Sequence, residues 1–284
     1  MNDTQKVILD IFKEYKKICD KHGLKYFGLS GTTIGAVRHG GFIPWDDDLD
    51  VAMPIDDYLK FREIALKELG RGYELLDSRS RKTNPQMYMK VRDSRTTYIE
   101  GQYADKPRYF GGVWMDVFPI AMCPSNKLKI SILKIRLRFY RKMDMLRNQY
   151  TFRESELKNK LMKILFLPVV YICKSDHYLN RWERTLVIYN RKANNKKIIL
   201  PWRLPPRRTY HNIFPCEFFE STEERKFEDT TMMIPTMYDE YLRMDFGDYM
   251  KLPPKSARVT HFEEGATLDL NKPYIEYVKT YHES

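Results

Sequence analysis

The first part of the chain alternates apolar and polar positions at helical spacing. Apolar residues between Val7 and His22 recur every three or four positions, and lysine and glutamate fill most of the positions between them. This pattern predicts an amphipathic helix of about five turns with one buried face. Gly23 follows directly and is predicted to end the helix, because glycine readily adopts the left-handed conformation found there.

Short strand-like runs and further helical runs continue to about residue 120. The predicted helices are Thr33–Arg38 and Ile55–Leu69. The predicted strands are, in chain order, Lys25–Leu29, Asp48–Met53, Tyr73–Leu76, Gln86–Val91, Thr96–Glu100 and Gly111–Pro119. Helices interspersed with strands predict an α+β (α/β) fold, in which helices flank a mixed β-sheet. Helical runs then return in the basic stretch after residue 126, and near the C-terminus at Tyr238–Met244 and Pro273–His282.

The positive charge of the chain is concentrated in one internal segment. The formal net charge is +11, yet residues 1–126 hold 19 basic and 18 acidic side chains, and residues 209–284 hold 8 and 15. Residues 127–208 hold 22 basic and 5 acidic side chains. A uniformly basic nucleic-acid-binding protein would not concentrate its charge in this way, so that class is a minor alternative that rests on this segment alone.

Hydropathy and cysteine spacing indicate where in the cell the protein is located. Hydrophobic residues make up 43% of the 284 residues, which is enough for a buried core. The most apolar run, Leu161–Cys173, is shorter than the roughly 18 to 20 residues that a membrane-spanning helix needs. The four cysteines lie far apart, and the N-terminal residues lack the apolar core of a secretory signal. We therefore expect a cytoplasmic protein with reduced thiols, and peripheral attachment to the inner face of the membrane stays open.

A cluster of carboxylates marks the candidate site. The run WDDDLD at residues 45–50 holds four aspartates, and Asp48 and Asp50 lie two residues apart on a predicted strand, hence on one face. Such close carboxylates repel each other unless a cation lies between them, and Mg²⁺ prefers oxygen ligands. Asp116 is a lone carboxylate between apolar residues on a later predicted strand and is a candidate third ligand. The alternative is a solvated acidic turn.

A Ser-Gly turn precedes the carboxylates and opens the helix predicted at Thr33–Arg38. Because backbone N–H groups at a helix N-terminus bind phosphate, Ser30, Gly31 and Thr32 are candidate phosphate-binding residues. A Gly turn, a helix, an Asp-x-Asp strand and a later third aspartate resemble, in that order, the nucleotidyltransferase fold.

The resemblance extends to a particular family. LSGTTIGAVRHGGFIPWDDDLDVAMP (Leu29–Pro54) closely resembles the signature of the LicD family, the phosphocholine transferases of bacterial surface glycans, which are akin to fukutin-related ribitol-phosphate transferases. Similar segments are KVRDSRTTYIE (Lys90–Glu100), GGVWMDVFP (Gly111–Pro119) and YDEYLRMDFGDYMKLPP (Tyr238–Pro254). The resemblance covers roughly residues 20–120 and 235–262. It implies a nucleotidyltransferase-like catalytic core at 1–126, a basic and mainly helical insertion at 127–208, and a C-terminal segment at 209–284 that returns to the core.

The resemblance also implies a reaction. Phosphocholine, or a related phospho-alcohol, would pass from a CDP-activated donor, with CDP-choline favoured, to a hydroxyl of a cell-surface glycan such as teichoic acid, lipopolysaccharide or a capsule precursor, and CMP would leave. Asp48, Asp50 and Asp116 would hold Mg²⁺ or Mn²⁺, or Asp116 would accept the hydroxyl proton. Asp46 and Asp47 would support these residues, for example by orienting Arg38 or Lys90.

Phosphate also calls for cationic groups near the carboxylates. Lys90 and Arg92 alternate on a predicted strand, so their side chains share a face. The candidate donor-binding cations are Arg38, Lys90, Arg92, Lys251, Arg258 and His261. For each of them the alternative is an exposed charge on a strand or loop.

Three questions stay open in the sequence. The enzyme could instead be a nucleotidyltransferase that moves NMP from an NTP to a small molecule or RNA. A quaternary ammonium would need an aromatic box or a carboxylate, and Trp45, Trp114, Tyr88 and Tyr98 are among the aromatic candidates. The basic insertion could bind a glycan, a lipid-linked acceptor or the anionic inner leaflet, or be a solvated helical hairpin whose apolar run is core.

Overall fold

The computed structural model describes residues 1–77, 79, 86–148, 161, 164–166, 172–174, 176–192, 196–204, 211–258, 260 and 265–283. The predicted N-terminal helix is confirmed. A capping box between Asn2 and Gln5 begins it, and Gly23, in the left-handed conformation with φ 61°, ends it. The helices of the described residues are α1 (Asp3–His22), α2 (Gly31–His39), α3 (Ile55–Glu68), α4 (Lys127–Asn148), α5 (His177–Asn190), α6 (Tyr238–Phe246) and α7 (Tyr274–Glu283).

The strands form one mixed sheet and two small antiparallel pairs. They are β1 (Phe27–Gly28), β2 (Asp50–Pro54), β3 (Tyr73–Leu76), β4 (Met89–Asp93), β5 (Thr97–Ile99), β6 (Trp114–Cys123), β7 (Lys197–Ile199), β8 (Ile213–Pro215), β9 (Thr222–Phe227), β10 (Thr230–Pro235) and β11 (Thr267–Asp269). The two small pairs are β9–β10 and β5–β11. The main sheet runs β1-β2-β6-β4-β3, and β7 and β8 extend it from the far end of β6. Its β2–β6 pairing is parallel, and the other pairings are antiparallel. The predicted α+β fold is therefore confirmed.

One face of the main sheet is apolar and covers the largest core. Val51, Met89, Val91, Met115 and Val117 alternate along three strands and pack with the buried faces of α1 and α3. Because side chains alternate across a strand, the residues between these positions point to the other face. That second face carries Asp50, Lys90 and Asp116, so the sheet itself separates the core from the charged groups.

The segment 127–208 is connected to the sheet as well as to its own helices. Helices α4 and α5 pack together, and a buried ion pair of 2.6 Å between Arg62 Nη1 on α3 and Glu183 Oε1 on α5 ties them to the core. Strand β7 pairs with β6 at Ala121–Cys123. Leu161–Cys173 lies largely outside the described residues. No helix in the described ranges is both long and apolar enough to cross a bilayer.

Several predicted boundaries are wrong. Strand β2 begins at Asp50, so Asp48 lies in the preceding loop and the expectation that both aspartates share a strand face fails. The β9–β10 hairpin is not among the predicted elements. Strand β6 runs to Cys123 rather than ending at Pro119, because Ala121–Cys123 pairs with β7.

Candidate active site

Three charged residues lie in one row across the sheet. Asp50 on β2 is the register partner of Asp116 on β6, and Asp116 is in turn the partner of Lys90 on β4. The Asp116 amide donates to the Leu49 carbonyl over 3.0 Å, which fixes the two aspartates side by side. Register partners on neighbouring strands project from the same face, so the row places two carboxylates and an ammonium together.

Burial and like charge raise the pKa of both carboxyl groups. Burial is the main cause at Asp50, and the negative charges of Asp48, Asp116 and Asp46 add to it, while Arg203 opposes it. Burial is also the main cause of the raised pKa of Asp116, and Lys90, whose Nζ lies 3.7 Å from Asp116 Oδ1, opposes it.

Asp116 Oδ1 is buried and has no hydrogen-bond partner in the part of the chain that the structure describes. A buried carboxylate oxygen without a donor is costly, so a bound ligand or cation would stabilise it.

The loop of residues 43–48 is held from both sides. Gln5 Nε2 on α1 donates to the carbonyls of Ile43 over 3.2 Å and Asp46 over 2.7 Å. The Asp50 amide donates to Thr32 Oγ1 over 2.8 Å. The buried Thr32 hydroxyl therefore positions the start of β2, and the buried Gln5 positions the acidic loop.

Gln5→Ala should destabilise the protein. The substitution removes both loop hydrogen bonds and the side chain that accepts the Asn2 amide in the capping box. We expect the free energy of unfolding to fall by about 1 to 3 kcal/mol, measured by urea denaturation. Gln102→Ala, an exposed glutamine, is the control; equal stability of the two variants would contradict the assigned role of Gln5.

The turn before α2 is strained and tightly packed. Ser30 has a positive φ of 51°, and its amide donates to Tyr241 Oη over 3.1 Å. A Cβ atom on Gly31 would lie 2.8 Å from Asp46 Oδ2, so a side chain at this position would displace the Asp46 carboxylate from the N-terminus of α2. Ser30 and Gly31 thus hold the start of α2 against the acidic loop.

Arg203 is a site residue that the sequence did not reveal. It comes from the basic segment, its Nη2 donates to Ser30 Oγ over 2.6 Å, and its Nη1 donates to the fully buried carboxylate of Asp245 over 2.8 Å. One arginine among 22 basic residues of that segment offers no signal of its own. Only the structure brings it to the turn that opens α2.

Two cavities meet at the carboxylates, and Asp48 lines both. One, of about 340 Å³, is lined by the turn before α2, by carboxylates and by two side chains of the basic segment; its lining includes Ser30, Gly31, Asp46, Asp48, Asp50, Trp202 and Arg203. The other, of about 220 Å³, is lined by acidic and aromatic side chains around Lys90; its lining includes Asp47, Asp48, Asp116, Glu100, Tyr88, Tyr98 and Trp114. The carboxylates therefore lie between a cavity with an arginine and a cavity rich in aromatic rings.

The two predicted cations of β4 lie on one face but have different surroundings. Lys90 Nζ lies 3.7 Å from the ring centroid of Trp114 and within 4 Å of Glu100 and Asp116. The buried Arg92 instead pairs with Glu74 over 2.7 Å and donates to Tyr274 Oη over 2.8 Å. Lys90 is therefore placed at the carboxylates, whereas Arg92 ties the sheet to α7.

A second basic group lies beside Trp45, at the other end of the acidic loop. The Arg258 guanidinium stacks 5.0 Å from the Trp45 ring centroid, and burial together with the positive charge of Arg258 lowers the pKa of Arg38. Arg258, from the C-terminal block, therefore lies beside the acidic loop. Lys251 is exposed, and His261 lies outside the described residues.

The donor set suits a hard divalent cation. Within the described residues, no three His, Cys, Asp or Glu side chains are grouped so that they could hold a metal ion as they stand. However, Asp48, Asp50 and Asp116 offer only oxygen ligands, the negative charges of Asp48 and Asp116 act on Asp50, and Asp116 Oδ1 accepts no hydrogen bond from the described part of the chain. Those properties match what Mg²⁺ or Mn²⁺ prefers.

Comparison with known proteins identifies the family of this chain. A family model described as LicD/FKTN/FKRP, nucleotidyltransferase domain, matches residues 23–171. The lipopolysaccharide cholinephosphotransferase LicD of Haemophilus influenzae is 28% identical over 277 residues, which is 92% of this chain and 95% of that protein. An uncharacterised protein of Rickettsia typhi is 40% identical over 65 residues, and one of Rickettsia prowazekii is 39% identical over 57, each about a fifth of either chain. The chain belongs to the LicD family, and it is a phosphotransferase of that family.

Proposed function

We propose that the protein transfers phosphocholine from CDP-choline, or a related phospho-alcohol from its CDP donor, to a hydroxyl of a cell-surface glycan and releases CMP. The observation that carries the proposal is the position of the half-buried carboxylates of Asp48, Asp50 and Asp116 between two cavities of different character. Similarity over most of both chains to a lipopolysaccharide cholinephosphotransferase supports the choice of reaction.

The carboxylates would serve a divalent cation and the attacking hydroxyl. Asp48 and Asp50, with one oxygen of Asp116, would hold Mg²⁺ or Mn²⁺, which supplies positive charge to the diphosphate and the leaving oxygen. The acceptor oxygen forms a bond to the phosphorus nearest the alcohol, and the bond from that phosphorus to the CMP oxygen breaks. Asp116 would accept the hydroxyl proton with the oxygen that does not hold the cation.

Each cavity suits one part of the donor. Arg203 and the turn at Ser30 and Gly31 place donors of hydrogen bonds beside the larger cavity, where a diphosphate and nucleoside would fit. The smaller cavity is lined by Glu100 and Asp47 next to aromatic rings. Lys90 is the basic residue in its lining. Its excess of negative charge and its aromatic walls suit a quaternary ammonium, which supports choline over uncharged alcohols such as ribitol or glycerol.

The charge of the transferred group should therefore decide donor preference. We expect CMP release from CDP-choline to exceed release from CDP-3,3-dimethylbutanol, its uncharged carbon isostere, by at least about tenfold in kcat/KM. Glu100→Gln should reduce this preference, whereas Glu63→Gln, an exposed glutamate, should preserve it. Equal use of the two donors by the wild-type protein would exclude the ammonium assignment while leaving the phosphotransfer intact.

A panel of donors tests the reaction itself. The purified protein is incubated with Mg²⁺ and a lipopolysaccharide or teichoic acid acceptor, and with CDP-choline, CDP-ethanolamine, CDP-ribitol or CDP-glycerol, and CMP is measured. We expect CMP only when the correct donor is present together with a divalent cation, Mg²⁺ or Mn²⁺. Among the four donors, only the correct one should raise the melting temperature. Pyrophosphate released from an NTP would instead identify a nucleotidyltransferase. This is the alternative function, and the description of the matching family model contains the term nucleotidyltransferase domain.

A further inference from the structure

The outward face of α4 carries an exposed apolar stripe. Leu128, Ile132, Ile135 and Phe139 recur four, three and four residues apart, so they line one side of the helix. Their exposed fractions are 69%, 54%, 63% and 41%. Large apolar side chains scattered singly over a surface are ordinary, but a contiguous row along three turns marks an interaction site.

This stripe is not the face that packs on the protein. Ile130, Leu133 and Leu137 are buried and lie on the opposite side of α4, where the helix contacts α5 and the core. Helix α4 is thus apolar on two sides, and the stripe stays exposed even though the Phe139 ring meets the Tyr178 ring of α5 edge to face, with 6.4 Å between centroids. The core needs no second apolar face, so the stripe requires another explanation.

Basic residues flank the stripe on both sides. Helix α4 contains eight Lys or Arg residues and a single acidic residue, Asp144, which is buried. At 100° per residue, Lys129 and Arg136 lie along one edge of the stripe, and Lys127, Arg138 and Lys142 lie along the other. An apolar stripe between two cationic edges is the arrangement of a helix that lies in the interface of an anionic membrane.

Further exposed apolar side chains come from the same basic segment. Leu165 and Ile172 are exposed, and Phe166 packs against Met143 and Leu146 near the end of α4. The basic segment therefore exposes apolar side chains outside α4 as well. The charges beside the stripe favour a membrane as the binding partner. Lipid tails would contact the apolar stripe, and anionic headgroups would contact the basic residues along both of its edges.

We propose that α4 binds the surface of an anionic membrane, with Leu128, Ile132, Ile135 and Phe139 inserted among the lipids and the flanking Lys and Arg side chains on the headgroups. This role does not depend on which alcohol the enzyme transfers. It would hold the enzyme at the surface where a lipid-linked acceptor is found.

Co-sedimentation with vesicles tests the proposal. The wild-type protein should bind vesicles of phosphatidylcholine and phosphatidylglycerol at 3:1, bind pure phosphatidylcholine at least tenfold more weakly, and lose affinity as salt rises. Ile132→Asn with Ile135→Asn, and separately Lys129→Glu with Arg136→Glu, should each lower the partition coefficient at least about tenfold. Leu66→Asn, a change at an equally exposed leucine of α3, should leave it unchanged.

Thermal unfolding shows whether each variant is folded, since all changed side chains are exposed. Equal binding to both vesicle types, or equal binding by all variants, would overturn the proposal. A wild-type dimer in light scattering that becomes monomeric in the Ile132→Asn, Ile135→Asn variant would overturn it too, because the stripe would then seat a second copy of the chain.

Discussion

Asp50→Asn is expected to lower the rate of CMP release by about 10³-fold or more while making the metal-free protein more stable. The rate falls because the amide cannot hold a divalent cation as a carboxylate does, and cation binding supplies several kcal/mol to phosphoryl transfer. Stability rises because burial and the neighbouring carboxylates raise the pKa of Asp50, so its charged form opposes folding. The site is therefore built at a cost to the fold.

The expected increase in stability follows from the raised pKa of Asp50. A carboxyl group whose pKa is raised by folding stabilises the folded state at pH below its ordinary pKa, and this contribution is lost as pH rises through the folded-state pKa. At neutral pH in EDTA, Asp50→Asn should raise Tm by about 2 to 4 °C for each kcal/mol of repulsion removed. The difference from the wild-type protein should narrow as pH is lowered.

Scanning calorimetry in EDTA and in Mg²⁺ checks both parts. The wild-type Tm should rise with Mg²⁺, and the Tm of Asp50→Asn should rise less. Asp10→Asn, at an exposed aspartate of α1, should change neither the rate nor the response to Mg²⁺. Full activity of Asp50→Asn, or a lower Tm than the wild-type protein in EDTA, would refute the assignment of this carboxylate cluster.

Arg203→Lys should lower kcat/KM for the CDP donor by about 100-fold with little loss of stability. A lysine keeps the positive charge beside Asp245, but it cannot also reach Ser30, because it lacks the fork of the guanidinium. Loss of that contact frees the strained turn that opens α2, next to the carboxylates. We expect the donor KM to rise and kcat to fall.

Steady-state kinetics with varied donor, together with Tm, separates this role from a purely structural one. Arg191→Lys, at an exposed arginine of the same basic segment, should behave as the wild-type protein does. Arg203→Ala leaves Asp245 buried without its cation and should cost stability as well as activity. Wild-type kinetics for Arg203→Lys would show that Arg203 only supports the fold.

Local patterns in the sequence predicted the elements that hold the site, but not how they combine. Alternation predicted the strand of Asp116 and the shared face of Lys90 and Arg92, because period 2 is a property of each strand alone. The register that places Asp50 opposite Asp116 depends on pairing between segments more than 60 residues apart. No local pattern contains that information.

The features that the sequence did not predict share this cause. Arg92 matched Lys90 in every local respect, yet Tyr274, 182 residues away, engages it. Asp48 falls outside β2 because Gln5 and Thr32 hold the loop and the start of the strand through hydrogen bonds from other elements. The position of Arg203 at the site could not be predicted for the same reason, because it depends on a contact with Ser30, 173 residues earlier.

The pairing of β7 with β6 and the reach of Arg203 to Ser30 set limits on exchanging parts between relatives. A chimera that replaced all of residues 127–208 would remove a strand of the main sheet and the arginine of the larger cavity along with the helices. Crossover points just before α4 and just before β7 would exchange the helices while keeping both. Chimeras that exchange the helices of this segment between family members, to test acceptor or surface recognition, should therefore have their junctions at about residues 126 and 196. Lys197–Ile199 and Arg203 then stay with the recipient protein.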